Sequence, residues 1–215
     1  MQDIVADQLR QTVAVLTNVA EDSKLHAVLV GAAEETAKAL KSGHKLMVAG
    51  NGGSAADSQH LVAEFVSRLV KDRPALRAVA LTTDSSILTA VGNDYGYECT
   101  FARQIEALGQ PGDIFLAIST SGNSPNILRA LELAHSTGIV TIGLTGSRGG
   151  QMLELCDFCL RMPSDLTMKI QEAHLALEHI FCMPAEIENT RCELHMVGPI
   201  QIADFAINNA ITIQK

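Results

Sequence analysis

The sequence predicts an α/β fold: a doubly wound, five-stranded parallel sheet with helices on both faces, preceded by an N-terminal helical hairpin. Three features of the 215-residue chain lead to this expectation. From Lys45 onward, short apolar runs alternate with helix-periodic segments, the pattern of strands joined by helical crossovers. The runs are apolar at nearly every position, as strands covered on both faces must be. Two Gly/Ser-rich loops directly follow such runs, at the edge where a parallel sheet presents ligand sites.

Taken in order, residues 3–21 and 25–42 read as helices. Ile4, Leu9, Val13, Val15 and Leu16 recur at helical spacing in the first. Leu25, Val28, Leu29, Ala32, Ala33, Ala37 and Leu40 do so in the second, which stops at Ser42-Gly43. Strands are predicted at Leu46–Ala49, Val79–Leu81, Asp113–Ile118, Val140–Leu144 and Phe158–Met162. Helices fill the intervals at Ser54–Leu69, Ser85–Val91, Phe101–Leu108, Pro125–Ser136 and Gln151–Leu155. A last long helix spans Thr167–Met183 and is expected to break at Pro184. Beyond it the signals are mixed, and Ile200–Ile213 reads equally as helix or strands.

Composition narrows the function classes. Hydrophobic residues make up 47% and aromatics only 4%, which suits an aliphatic core. A net charge of −8 without a basic cluster argues against nucleic acid and membrane surfaces as partners. No apolar run reaches the length of a membrane span. Met1-Gln2-Asp3-Ile4 lacks the basic and apolar segments of a signal peptide. The five cysteines, at 99, 156, 159, 182 and 192, fit reduced thiols and a cytoplasmic location. Cys156-x-x-Cys159 stands without a second pair and reads as structural.

The chemistry concentrates in a few segments. In Asn51-Gly52-Gly53-Ser54 the glycines permit a sharp turn and close ligand approach, with free helix N–H groups ahead. Ser119-Thr120-Ser121-Gly122-Asn123-Ser124 places four hydroxyls in six residues before a helix. Such neutral donors hold a phosphate without Lys or Arg, which an acidic chain needs; the plainer reading is a capped loop, Ser124 and Pro125 being good N-cap and N1 residues. His60 and Glu64 share one helical face, although a solvated ion pair has the same spacing. Gln171 and His179, eight apart, differ by about 80° around a helix and can face one cleft. His60, Glu64, Gln171 and His179 suit a borderline divalent ion such as zinc, with Gln an uncommon ligand. Asn93-Asp94 follows a short helix and offers polar ends to sugar hydroxyls, or forms an Asx turn.

These segments resemble the sugar isomerase (SIS) domain family, and within it the phosphoheptose isomerases. The resemblance rests on Gly50–Asp57 with Gln59, His60 and Glu64, on Ala80–Asp84, Gly92–Gly96, Arg103–Gly109 and Ile118–Ser124, and on Ile170–His174 with His179. It implies a SIS-type sheet and interconversion of sedoheptulose 7-phosphate and D-glycero-D-manno-heptose 7-phosphate, the first step of nucleotide-activated heptose biosynthesis. Glu64 and His179 would be the catalytic acid/base pair. One zinc per subunit would sit on His60, Glu64, Gln171 and His179. Asn51, Gly52, Gly53, Glu64, Asn93, Asp94, Ser119, Thr120, Ser121, Ser124 and Gln171 would bind the sugar phosphate. A homotetramer is implied, with residues 1–36 as its helical arm, 37–183 as the SIS domain and 184–215 as a tail unlike the family's. Lys169 stands where the family has Arg, at a position expected to bear on a phosphate or interface contact. Two other readings remain: a SIS regulator binding the replication initiator, and an isomerase of another sugar phosphate.

Overall fold

A computed structural model describes residues 2–189. Two helices lead the chain, α1 (Gln2–Glu21) and α2 (Ser23–Lys41). Asp22 separates them and caps α2, its carboxylate accepting from the N–H groups of Lys24 and Leu25. Strands β1 (Leu46–Gly50), β2 (Ala78–Ala80), β3 (Ile114–Ile118), β4 (Val140–Thr145) and β5 (Phe158–Arg161) form one parallel sheet in the order β2-β1-β3-β4-β5. Between them run α3 (Gly53–Val66), α4 (Ser85–Tyr95), α5 (Thr100–Leu108) and α6 (Pro125–Ser136), with 3-10 turns at Tyr97–Cys99 and Gly150–Glu154. Helix α7 (Thr167–Asn189) closes the described chain.

Strand alternation divides the core. Leu46, Val48, Ile114, Leu116, Ile118, Ile142 and Leu144 point to the face covered by α2, α3 and α7. Met47, Ala49, Phe115 and Ala117 point to the opposite face, under α5 and α6. Both faces are dry, which is why the strands read as continuous apolar runs rather than as alternating ones. In this order β1 has β2 on one side and β3 on the other, so the chain reverses direction across the sheet between β1 and β3. The loops leaving these two strands therefore diverge and leave a crevice between them. Those loops hold Asn51-Gly52 and Ser119–Ser124.

Three expectations are corrected. Helix α7 does not break at Pro184 but runs through it to Asn189. Proline removes one helical donor, yet Phe181, Cys182 and Ala185 are buried in the core and Glu186 is pinned on the far side. The Glu186 carboxylate accepts from the N–H groups of Leu69 and Val70 at 3.0–3.1 Å and lies 3.7 Å from Arg73 Nε. This packing outweighs the lost helical bond. The same contacts end α3 at Val66 instead of Leu69, because Arg73 donates to the carbonyls of Glu64 and Phe65 (2.6 and 2.8 Å). Helix α4 runs to Tyr95, past Val91, and stops at Gly96, whose φ of +91° few other residues adopt. Asn93 and Asp94 thus lie inside its last turn. The predicted segment Ile200–Ile213 lies outside the described residues.

Candidate active site

The β1–α3 junction is shaped by glycine. Gly52 adopts φ +57° at the N-terminus of α3. A Cβ on Gly53 would collide with the side-chain amide of Gln171, so α7 approaches α3 closely at this point. Seven and eleven residues on, the same face of α3 presents His60 and Glu64. His179, two turns after Gln171 on α7, meets them there. The two imidazole Nε2 atoms are 2.9 Å apart with rings nearly perpendicular, and His60 Nε2 is 3.7 Å from a Glu64 oxygen. One ligand atom from each of His60, Glu64 and His179 lies within 4.8 Å of the others. Residues 115 positions apart in sequence, Glu64 and His179, are thereby neighbours within one subunit.

Helix α3 holds Glu64 firmly, since Arg73 grips its backbone carbonyl. Next to His179 in sequence, Glu178 is almost fully buried, and neither carboxyl oxygen has a hydrogen-bond partner among the described residues. Burial pushes its carboxyl up to about 8, with the negative charge of Asp57 adding to the effect. Asp57 is itself raised by burial, partly offset by His60. His174, on the same helix, is held neutral by burial, its imidazole lowered to about 4.

The second loop is a preformed cluster of hydroxyls. Ser119 Oγ lies 3.0 Å from Ser124 Oγ and 3.4 Å from Ser121 Oγ. Ser124 occupies the N-cap of α6, but its side chain bonds Ser119 instead of the helix. The capped-loop reading is therefore not met by its hydroxyl, which stays with the cluster. Gly122, at φ +65°, packs so tightly on the backbone of Gly149 and Gly150 that no side chain fits there. A cavity of about 240 Å³ opens beside the loop, lined by Thr120, Ser121, Asn123, Ser147, Arg148 and Ile170 among others.

Between the loops, the carboxamides of Asn51 and Asn126 exchange two hydrogen bonds of 2.9 Å, and Tyr97 donates to Asn51 Oδ1 at 3.2 Å. Asn93 donates its side-chain amide to the Asp94 carboxylate at 2.7 Å. Lys169 faces neither loop. It is buried and donates to Thr12 and Glu172, joining α1 to α7.

Known proteins share this plan. The SIS domain model matches residues 9–146. The chain is 50% identical over 188 residues to phosphoheptose isomerase 2 of Campylobacter jejuni, covering 87% of this chain and 94% of that one. The phosphoheptose isomerase of Neisseria gonorrhoeae superposes with a TM-score of 0.81 at 39% identity, over 86% of this chain and 98% of its own. That of Francisella tularensis gives 0.83 at 36% identity over the same shares. The chain belongs to the SIS domain family, among its phosphoheptose isomerases.

Within this SIS domain, sequence reasoning missed the residues that hold the candidate groups in place. Arg73 and Glu186 lie in segments with no motif, and only their burial in the fold reveals them. Tyr97 follows directly on the Gly92–Gly96 segment, and Asn126 follows the hydroxyl loop by two residues. Proximity to those motifs was the one available signal.

Proposed function

We propose that this chain isomerises sedoheptulose 7-phosphate to D-glycero-D-manno-heptose 7-phosphate by proton transfer through an enediol, opening the synthesis of nucleotide-activated heptose. The convergence of Glu64 and His179 within one subunit, in a member of the phosphoheptose isomerases, is the observation that supports it most. Moving the carbonyl from C2 to C1 removes a proton from C1 and returns one to C2. A carboxylate at Glu64 takes the carbon-bound proton. The His179 imidazole gives a proton to the carbonyl oxygen and recovers one from the neighbouring hydroxyl. Such positioned acid/base groups contribute about 10²–10⁴-fold each. Ser119, Thr120, Ser121 and Ser124 grip the phosphate, whose binding orients the distant reacting carbons. Gly52 and Gly53 offer backbone to the sugar, and Asn51, Asn93 and Asp94 offer side chains.

The donor set fits a divalent ion. Two imidazoles and a carboxylate with atoms within 4.8 Å of one another match the open three-ligand sites of catalytic zinc. Gln171, expected as a fourth ligand, packs its amide against Gly53, two turns of α7 before His179. When bound, zinc would supply polarisation of the substrate carbonyl. A homotetramer is part of the same reading. Ile4, Val5, Leu9 and Val13 form an exposed apolar stripe on α1, which a neighbouring subunit would cover. Among the described residues no helix is long and apolar enough to cross a membrane. Cytoplasmic residence and the absence of nucleic-acid partners are proposed on charge and thiol content.

The direct test is incubation with sedoheptulose 7-phosphate in D₂O. Formation of the aldose with deuterium at C2 is expected, and absence of both products and exchange overturns the proposal.

A further inference from the structure

The pair formed by Asn51 and Asn126 joins the two ligand loops at one point. Asn51 leaves β1 and Asn126 sits in the first turn of α6, 75 positions away. Asn126 is buried and contributes no surface to a ligand. A carboxamide has two acceptor positions on oxygen and two N–H donors. Both acceptor positions of Asn51 are used, by Asn126 Nδ2 at 2.9 Å and by the Tyr97 hydroxyl at 3.2 Å. One of its two donors goes to Asn126 Oδ1 at 2.9 Å. Its second N–H has no partner among the described residues. Its direction is set by the amide it faces, because rotating the Asn51 carboxamide breaks all three bonds together.

We propose that Asn126 is a positioning residue for the isomerisation: it holds Asn51 as a one-donor group and fixes the spacing between the β1–α3 loop and the phosphate-gripping β3–α6 loop. The role rests on the isomerase reading above. The phosphate and the reacting carbons lie at opposite ends of a seven-carbon sugar. The spacing of the two loops therefore decides whether C1 and C2 reach Glu64 and His179. Misplacement by about 1 Å costs on the order of 100-fold in rate while leaving most binding contacts intact. The effect belongs in kcat more than in KM. Tyr97 is the second clamp, acting on the same oxygen.

A double-mutant cycle tests this, with kcat and KM for sedoheptulose 7-phosphate measured on the full chain, on Asn126→Ala, on Asn51→Ala and on the double variant. The expected result is a kcat loss of about 10-fold or more for Asn126→Ala, with KM changed less than about 3-fold. In the Asn51→Ala background, Asn126→Ala should cost less than about 2-fold, because its target is already gone. Larger further losses in that background, or an unchanged kcat in the native one, overturn the role. If Asn126→Ala does not fold by circular dichroism, Asn126→Asp takes its place in the cycle under the same criteria. It keeps the shape and replaces the donor to Asn51 Oδ1 by a repelling oxygen. A native chain without turnover overturns the isomerase reading itself, whereas native turnover with independent losses overturns only the role of Asn126.

Discussion

Glu64 and His60 read equally well as a solvated ion pair on a helix, since four-residue spacing alone cannot separate that from a site. His179 arrives from α7, so that one ligand atom from each of the three residues lies within 4.8 Å of the others. Replacing Glu64 by Gln keeps its size and hydrogen-bonding reach but removes the base. We expect binding of sedoheptulose 7-phosphate by calorimetry to persist while turnover falls by about 100-fold or more. Near-native turnover would take Glu64 out of the mechanism. His179→Ala should lower bound zinc, measured by mass spectrometry after gel filtration in equimolar zinc, to well below that of the native chain. Equal zinc in both would refute the ligand assignment. Asn93 and Asp94 show the limit at this scale. Their residue types suit sugar hydroxyls, but their side chains engage each other in α4, so only a bound ligand can draw them in.

Helix α7 brings together most of the site and its supports. Its period was legible from Thr167, and so were Gln171 and His179. Its end was not, because proline is a strong local stop signal and the contacts that override it come from residues 65–73. Glu186→Ala would strip the acceptor from the N–H groups of Leu69 and Val70 and the counter-charge from the buried Arg73 side chain. Breaking a buried pair of this kind costs about 3–5 kcal/mol, to be read from urea unfolding. A loss below about 1 kcal/mol would mean that α7 is anchored elsewhere. His174 sets a pH dependence. Its Nε2 faces the Thr145 carbonyl at 3.3 Å, and burial lowers the imidazole from 6.5 to about 4. The folded state therefore binds this proton less readily than the unfolded chain. The associated stability is complete above about 6.5 and is lost as pH falls toward 4. Thermal melts of His174→Gln should show a shallower decline over that window than the native chain, and parallel curves would contradict the assignment.

Across the molecule, α1 is the element least satisfied by its own subunit. Lys169 fastens it to α7 through Thr12 and Glu172, yet Ile4, Val5, Leu9 and Val13 face outward. Light scattering should give the mass of a tetramer for the native chain. Leu9→Glu combined with Val13→Glu should reduce that mass with the helical circular dichroism retained. An unchanged assembly would place the interface elsewhere. The two leading helices were plain from their periodicity, but a single residue, Asp22, joins them, and α1 packs on α7 instead of folding back on α2 as a hairpin.

Apolar periodicity determined the five strands and their helices, because burial on both faces of a parallel sheet leaves its imprint on every strand. Loop chemistry likewise marked the two ligand edges, since glycine and hydroxyl side chains are required locally. Tertiary structure alone decided which distant groups meet. Strand order opens the crevice between β1 and β3, and α7 crossing α3 delivers His179 to His60 and Glu64. Such meetings depend on packing between elements far apart in the chain, and local sequence holds no record of that distance.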